Sequence, residues 1–466
     1  MTQQFAFAGA TNMLTMKRLS AQKTARSLSL FALLAAAGLG VLSSPAWGSG
    51  FALNESSARE MGKAYAGSAA YPDGATAVYF NPALLTLLKK PTLNLTATLI
   101  KLNGEFTPTS AVDAIGEPLS GNNGGNAGRK LNFVPSGFFA APINHHWSWG
   151  IGIYVPFGLS TDYNASSILR YEAIYTSLDV INVNPSLAYR LSPHFSIGLG
   201  LDLSKAYAKF TNAVDAGAVC FSKLGPLNCE SLGLTPQSHD IFSEVQGSDT
   251  AFGWNIGFLW HDSGTRIGLA YRSRITHNLV GTATFNNVPA LFEQSAIFSP
   301  TDASANLETP DTATLSFNQQ LTHAWSIGAT ASYTRWDSFQ QIQILFANPN
   351  QPTATTPENY HNTWYGSVGT SWHYNAHWTF RGGLGWDQSP VPNSTRNARL
   401  PDGNRDWLSL GFTYQVNPAT QLSFGYAHLF LSSHIPMNNI SPSGDQVVGT
   451  WNLDANLYAL EFGYQF

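Results

Sequence analysis

The sequence predicts an all-β transmembrane barrel of about 14 antiparallel strands with an N-terminal hatch (plug) inside its lumen. Three observations lead there. The chain is low in charge yet lacks a long apolar stretch in its exported part, its segments alternate apolar with small or polar residues, and the connections between those segments alternate short with long.

Composition sets the class. Of 466 residues, 11% are charged and 13% aromatic, against roughly 25% charged in ordinary soluble domains. Mean hydropathy is only −0.09, and after the first few dozen residues no run of ~18 apolar residues offers a spanning helix. A chain that enters lipid without such helices must close a sheet, because every backbone group has to be hydrogen-bonded internally there. The net charge of −4 is small. With no basic stripe to meet phosphates, nucleic acid is not an expected partner.

Residues 1–48 read as a secretion signal. Lys17, Arg18, Lys23 and Arg26 form a basic start, Leu28 to Leu42 an apolar core, and Ala46-Trp47-Gly48 a small-residue cleavage site before Ser49. Translation is expected to begin at Met13 or Met16, because the residues before Lys17 add nothing to that signal. The apolar core is short for a membrane anchor and no stop-transfer flank follows it.

The strands follow from period-2 alternation, lipid-facing apolar against lumen-facing small or polar. The last segment is the clearest: Tyr458, Leu460, Phe462, Tyr464 and Phe466 share one face, and Ala459, Glu461, Gly463 and Gln465 the other. The pattern recurs in Phe252, Trp254, Ile256, Phe258 and Trp260, in Leu422, Phe424 and Tyr426, and in Trp147, Trp149, Ile151 and Ile153. A one-residue slip would turn each apolar set into the lumen, so register is well specified. Strands are expected near 92–102, 130–141, 146–156, 178–191, 194–210, 250–261, 265–285, 311–321, 324–336, 362–374, 377–388, 405–416, 419–430 and 453–466. Short connections such as Ser192-Pro193, Thr322-His323 and Asn417-Pro418 then alternate with long ones such as 103–129, 211–249 and 431–452. Short periplasmic turns, long outer loops and an even strand count are what a bacterial barrel requires. A soluble sandwich or propeller would also alternate, but its outward faces would be polar rather than rich in Trp, Tyr, Phe and Leu.

Residues 49–91 do not alternate. Ala, Ser and Gly dominate, a Pro72-Asp73-Gly74 turn interrupts them, and Val78-Tyr79-Phe80-Asn81-Pro82-Ala83 follows. Such a low-charge segment suits short helices in a confined space, and a barrel this wide leaves lumen that wall side chains cannot fill. The domains are therefore 1–48 signal, 49–91 hatch and 92–466 barrel, with a solvated periplasmic tail as the alternative for the middle piece.

Cys220 and Cys229 are the sole cysteines. In an exported chain a close pair reads as a small disulfide loop, with two free thiols as the alternative. No second Cys or His pair at ligand spacing accompanies them, so zinc is not expected. No Gly-x-Ser-x-Gly elbow, His-Glu-x-x-His or phosphate loop is present, and neither an enzymatic activity nor a cofactor is expected. Arg272, Arg274, Arg335 and Asp337 read either as lumen charges that pair with the hatch or as girdle and rim charges.

Gly50-Phe51-Ala52-Leu53-Asn54-Glu55-Ser56-Ser57, Gly62-Lys63-Ala64-Tyr65-Ala66-Gly67 and Asn81-Pro82-Ala83-Leu84 resemble the hatch of FadL-type long-chain fatty acid transporters. The likeness continues through Phe157-Gly158-Leu159-Ser160-Thr161-Asp162-Tyr163, Gly253-Trp254-Asn255-Ile256-Gly257, Gly268-Leu269-Ala270-Tyr271-Arg272-Ser273, Tyr333-Thr334-Arg335-Trp336 and Trp407-Leu408-Ser409-Leu410-Gly411. The resemblance implies passive outer-membrane uptake of a hydrophobic small molecule, a long-chain fatty acid or an aromatic or alkane hydrocarbon. Ligand would be captured between outer loops, then held in an apolar pocket beside the hatch N-terminus. Phe51 would touch that pocket and Asn81, Pro82 and Ala83 would form a strand-like hatch element near the wall. The family's third strand is kinked and leaves a lateral gap; Pro156 and Gly158 stand at the end of the third strand here, flanked by Phe157 and Leu159. Pro removes a ladder donor and Gly a side chain, so a break in pairing is expected there, the alternative being a strand that simply ends into its loop. The family places a basic headgroup residue near the outer end of the fifth strand, where this chain has Asn212, so Lys209 is the expected substitute.

Burying an acyl chain contributes ~0.8 kcal/mol per CH₂, whereas one charge-assisted headgroup contact contributes ~1.5–3 kcal/mol. Affinity is therefore expected to follow chain length. A general porin is the reading from a different class, and the hatch distinguishes the two. Expected surroundings are outer-membrane lipid and lipopolysaccharide, with the chain a monomer.

Overall fold

The computed structural model describes residues 50–466 except Pro72 and Arg129; the secretion signal and its cleavage site lie outside them. The wall is a closed antiparallel barrel of 14 strands. Its first six are β1 (Thr92–Val112), β2 (Asn132–Pro142), β3 (Trp147–Asp162), β4 (Tyr175–Arg190), β5 (Phe195–Asp215) and β6 (Asp240–Asp262). The next four are each broken in two: β7 and β8 (Thr265–Arg272, Ile275–Asn286), β9 and β10 (Thr301–Thr309, Thr312–Gln320), β11 and β12 (Trp325–Thr334, Gln341–Phe346), β13 and β14 (Ala354–Pro357, Thr363–His373). The last four are β15 (Trp378–Asp387), β16 (Arg405–Asn417), β17 with its extension β18 (Thr420–Leu431, Ile435–Ile440) and β19 (Gln446–Gln465). Sequential strands pair, and β19 closes on β1 from Thr92↔Gln465 to Val112↔Gln446.

Alternation runs as the residue pattern requires. Along β5, Ser196, Gly200, Asp202 and Ser204 face the lumen while Leu199, Leu201, Leu203 and Tyr207 face lipid. Outward aromatics meet their neighbours in a periplasmic belt, Trp325 on Trp372 at 5.3 Å and Trp378 on Tyr414 at 4.8 Å. An outer belt includes Tyr333 with Trp364 at 4.8 Å and Tyr426 with Tyr458 at 5.3 Å. Such rings sit at the two membrane–water interfaces.

Several strands run further outward than the alternation indicates. On β19 the lipid face reads Tyr458, Leu460 and Phe462, but the same face continues above as Asn456, Asp454 and Asn452, while Trp451, Leu453 and Leu457 point inward. The paired strand β1 inverts at the same level, Leu99 opposite Tyr458 and Lys101 opposite Asn456. The barrel thus rises past the bilayer, and there its outside is polar and its inside apolar. Reading for outward apolar residues stops at the inversion, which is why the expected 92–102 is Thr92–Val112 and the expected 250–261 is Asp240–Asp262.

Residues 50–91 fill the lumen below, and the helices α1 (Ala58–Met61) and α2 (Ala77–Phe80) belong to them. They fit because lumen-facing glycines let backbone approach backbone: a Cβ at Gly62 would lie 2.9 Å from the Cα of Gly411, and one at Gly425 would strike the carbonyl of Ala58. Glu461 on β19 holds the segment, accepting from Ser57 Oγ at 2.8 Å, Ala58 N at 2.9 Å and Arg59 Nε at 3.0 Å. Arg59 also meets Asp73 at 3.2 Å, so a cation shared by two carboxylates is buried between hatch and wall. Above the hatch, Phe106, Leu453 and Trp451 of the wall pack with Leu119, Tyr163, Ile168 and Leu169 of the outer loops. Helices α3 (Ala216–Leu224) and α4 (Pro226–Ser231) cap the outer end of β5 and are joined by a Cys220–Cys229 disulfide.

Candidate functional site

The third strand does not end at Pro156. It pairs with β4 from Trp147↔Tyr189 to Tyr154↔Asn182, skips, and resumes at Phe157↔Val180 as far as Asp162↔Tyr175. One extra residue on β3 is a bulge, and it exchanges the two faces of everything beyond it. Up to Tyr154 the even residues face the lumen; after the bulge Phe157 and Leu159, opposite the inward Val180 and Leu178, take that side.

On its other edge β3 leaves β2. Their pairing runs from Pro142↔Ser148 to Gly137↔Ile153 and goes no further, although β2 continues on β1 up to Ile100↔Asn132. Pro156 has no N–H to offer, which suits a strand that abandons its ladder. The hatch occupies the inward side of this departure. Leu53 N donates to Pro156 O at 2.8 Å, Gly158 N to Phe51 O at 2.9 Å, and Ala52 bridges Phe157. A side chain at Gly158 would meet Leu53 Cδ1 at 2.8 Å.

Phe51 is buried by this contact. Its ring lies 4.7 Å from Trp336, 5.4 Å from Phe339 and 5.9 Å from Phe157, edge to face in each case. Leu178, Val180, Leu279, Leu307, Tyr360 and Val391 complete the apolar cluster, with Leu159, Ala208 and Leu400 at its margin. A small apolar cavity of about 30 Å³ adjoins it between Ala208, Phe210, Leu279 and Ile344. The pocket expected beside the hatch N-terminus is therefore largely occupied by Phe51 itself.

Lys209 does not serve this cluster. It lies on β5 at the same parity as Leu199, Leu201 and Leu203, so it points to the outer face, where its Nζ pairs with Glu244 at 2.8 Å. Asn212 donates to Ala213 O at 2.8 Å. Arg405 and Arg396 come close to the apolar cluster, donating to Gly50 O and Val391 O. A further cation near it is Arg399, in the loop between β15 and β16, one residue before Leu400. Its guanidinium covers the Phe210 ring at 5.1 Å and reaches Thr176 Oγ1 only at 3.5 Å. Burial pushes the guanidinium's pKa down, opposed by the charges of Glu172 and Glu358; burial likewise pushes the Glu172 carboxyl up. Nothing in the sequence marked Arg399, because its neighbours in space come from β4, β5 and two other loops.

Asn81 is not part of a strand. Its extended backbone caps the 3₁₀ turn Pro82–Leu87, its Oδ1 accepting from Ala83 N at 3.0 Å. The amide then ties hatch to wall, donating to Ala69 O at 2.7 Å and Phe258 O at 3.0 Å. Pro82 packs against the β5 and β6 glycines Gly198 and Gly257. Arg272 is a lumen charge: it grips Asp202 at 2.7 Å and donates to Tyr79 O of the hatch at 3.0 Å. Arg274 and Arg335 instead share Asp311, at 3.3 and 3.5 Å, and Asp337 accepts from Asn362. Among the described residues no group of three or more His, Cys, Asp or Glu is placed to hold a metal ion.

A plugged barrel with an apolar cluster at a break in its wall defines an outer-membrane transporter of hydrophobic compounds rather than an enzyme. The chain belongs to the outer membrane protein transport protein family (OMPP1/FadL/TodX), whose profile matches residues 39–466. It is 31% identical over 415 residues to a long-chain fatty acid transport protein of Escherichia coli O6:H1, covering 84% of this chain and 90% of that one. It is 29% identical over 446 residues to outer membrane protein P1 of Haemophilus influenzae, covering 89% and 95%. Among solved structures, a Pseudomonas aeruginosa FadL homologue shares the fold at TM-score 0.83 with 24% identity, covering 90% of this chain and 100% of that one. The Ralstonia pickettii toluene transporter TbuX does so at TM-score 0.63 with 19% identity, covering 88% and 99%.

Proposed function

We propose that the chain carries long-chain fatty acids inward across the outer membrane through the apolar cluster at Phe51, with release sideways at the break between β2 and β3. The observation that carries this reading is the bulge in β3. It aims Phe157 and Leu159 at Phe51 and coincides with the end of pairing to β2 at Gly137↔Ile153. A fatty acid is held back by the polar saccharide layer rather than by hydrocarbon, so an apolar conduit that opens into the bilayer core is sufficient. Phe51 fills the pocket, so ligand takes its place when the short contacts of Ala52 and Leu53 to β3 give way. Arg399 stands where a carboxylate would point once the tail lies along Phe157, Leu178 and Leu307. Asn81, Pro82 and Ala83 keep the rest of the hatch in position, and Lys209 has no part in the pocket.

The fatty acid reading over a hydrocarbon one rests on Arg399 and on the names borne by relatives at about 30% identity; the toluene transporters share the fold at lower identity. A general porin is disfavoured by the buried hatch. The test is uptake of labelled palmitate by cells lacking their own importer, with and without this chain. Restored uptake that rises with chain length supports the reading. A folded barrel that restores toluene or alkane uptake but no fatty acid uptake would replace it with the hydrocarbon one.

A further inference from the structure

A second cavity of about 120 Å³ adjoins the apolar cluster, with Ala52 and Phe157 common to both. Ala52, Leu53 and Asn54 roof it, and Pro156 and Phe157 form the side next to the break in the wall. Its other surfaces set apolar side chains, Phe80, Pro82, Ile256 and Pro310 among them, beside a row of hydroxyls. Thr312, Thr314, Thr330, Ser332 and Thr334 line it from β10 and β11. Across those strands the hydroxyls pair, Thr314 with Ser332 at 2.9 Å and Thr312 with Thr334 at 3.3 Å. A hydroxyl offers one donor and two acceptor sites, so each pair keeps capacity for a further partner.

Two more side chains in this wall are less than fully used. Tyr65 and Asn255 are each 3% exposed. The Tyr65 hydroxyl and both amide atoms of Asn255 have no hydrogen-bond partner. Native proteins rarely bury such groups unpaired, and an unmet amide or hydroxyl in a low-dielectric interior points to a missing water or ligand. The volume has room for several waters, and so for a small polar group with its hydration.

We propose that this chamber is a transit site for the polar headgroup of an amphiphile, holding a carboxyl group with water while the tail passes the break beside Pro156 and Phe157. The inference rests on the lateral route proposed above. The chamber is electrically balanced, because its one cation, Arg272, is gripped by Asp202 at 2.7 Å. It therefore lends hydrogen bonds rather than net charge, and so takes up the headgroup without retaining it. A hydrocarbon with no headgroup has no use for it. The chamber separates amphiphilic from purely apolar cargo.

Tyr65→Phe is the first variant to make. It deletes a hydroxyl with no protein partner and keeps the ring contacts to Trp407 at 5.9 Å and Phe80 at 6.1 Å, so the barrel is expected to fold normally. Asn255→Leu and the isosteric Thr314→Val form the second and third arms. Each purified variant is checked by heat-modifiable migration, then titrated with palmitate and assayed in cells for uptake of labelled palmitate and hexadecane. The expected result is palmitate uptake reduced about tenfold in the combined Tyr65→Phe/Thr314→Val variant, with unchanged palmitate affinity. Hexadecane uptake should keep its wild-type rate. Equal losses for both cargoes, or no loss for either, would overturn the headgroup role. If the wild-type chain takes up neither cargo, the lateral transport reading fails and takes this site with it; that outcome is recognised before any variant is compared.

Discussion

Arg399 and Lys209 show what a single side chain's direction decides. Both are cations near the outer end of the barrel, yet one faces inward over Phe210 and the other outward against Glu244. The parity that excludes Lys209 is present in the sequence, since Leu199, Leu201, Leu203 and Tyr207 share its face, whereas the family position alone points to it. Arg399 had no such signal, being placed by loop packing. Arg399→Ala is expected to weaken fatty acid binding by about 1.5–3 kcal/mol, roughly tenfold to a hundredfold, and to leave binding of a matching alkane unchanged. Isothermal titration with both ligands measures this, and equal weakening would remove Arg399 as the headgroup partner.

At the scale of elements, the β3 bulge determines what its neighbours can do. Pro156 and Gly158 were legible as trouble for a ladder, but neither the continuation to Asp162 nor the exchange of faces was, because both depend on pairing with β4. Gly158→Arg is expected to fold as a barrel yet lose most uptake, since even a Cβ there crowds Leu53 at 2.8 Å. Cellular uptake alongside heat-modifiable migration checks it, and wild-type uptake would refute the lateral route. The helical cap on β5 is a separate matter. Replacing both Cys220 and Cys229 with serine is expected to loosen α3 and α4 by about 2–3 kcal/mol, seen as faster local hydrogen exchange. The strands themselves should keep their protection. Of the four broken wall strands, only β7 and β8 fall within one expected strand, 265–285; the outer pieces β9, β12 and β13 lie outside the expected 311–321, 324–336 and 362–374.

Taken whole, the molecule is a wall and a stopper joined by many hydrogen bonds and one buried ion cluster. The existence of a hatch was readable from the Ala-, Ser- and Gly-rich composition of 49–91 and from the family resemblance; its fastening by Glu461 was not, because a lone acid on a lumen face looks like any other polar residue there. Removing one member of a buried ion cluster typically costs ~3–5 kcal/mol. Arg59→Leu should therefore loosen the hatch from the wall without breaking a strand pair. In planar bilayers the variant is expected to conduct ions in bursts where the parent chain is silent. A silent variant would mean that the glycine-to-backbone packing alone suffices to seal the lumen.

The inversion of polarity along β1 and β19 has a consequence for how cargo is collected. Below Leu99 and Tyr458 the protein is an inside-out object suited to oil; above Lys101 and Asn456 it is an ordinary water-soluble cup with a greasy interior. On the route proposed above, a hydrophobe entering the cup would lose its water shell while still outside the bilayer. The dehydration that drives uptake would then precede the crossing, and the remaining passage inward would exchange one oily environment for another.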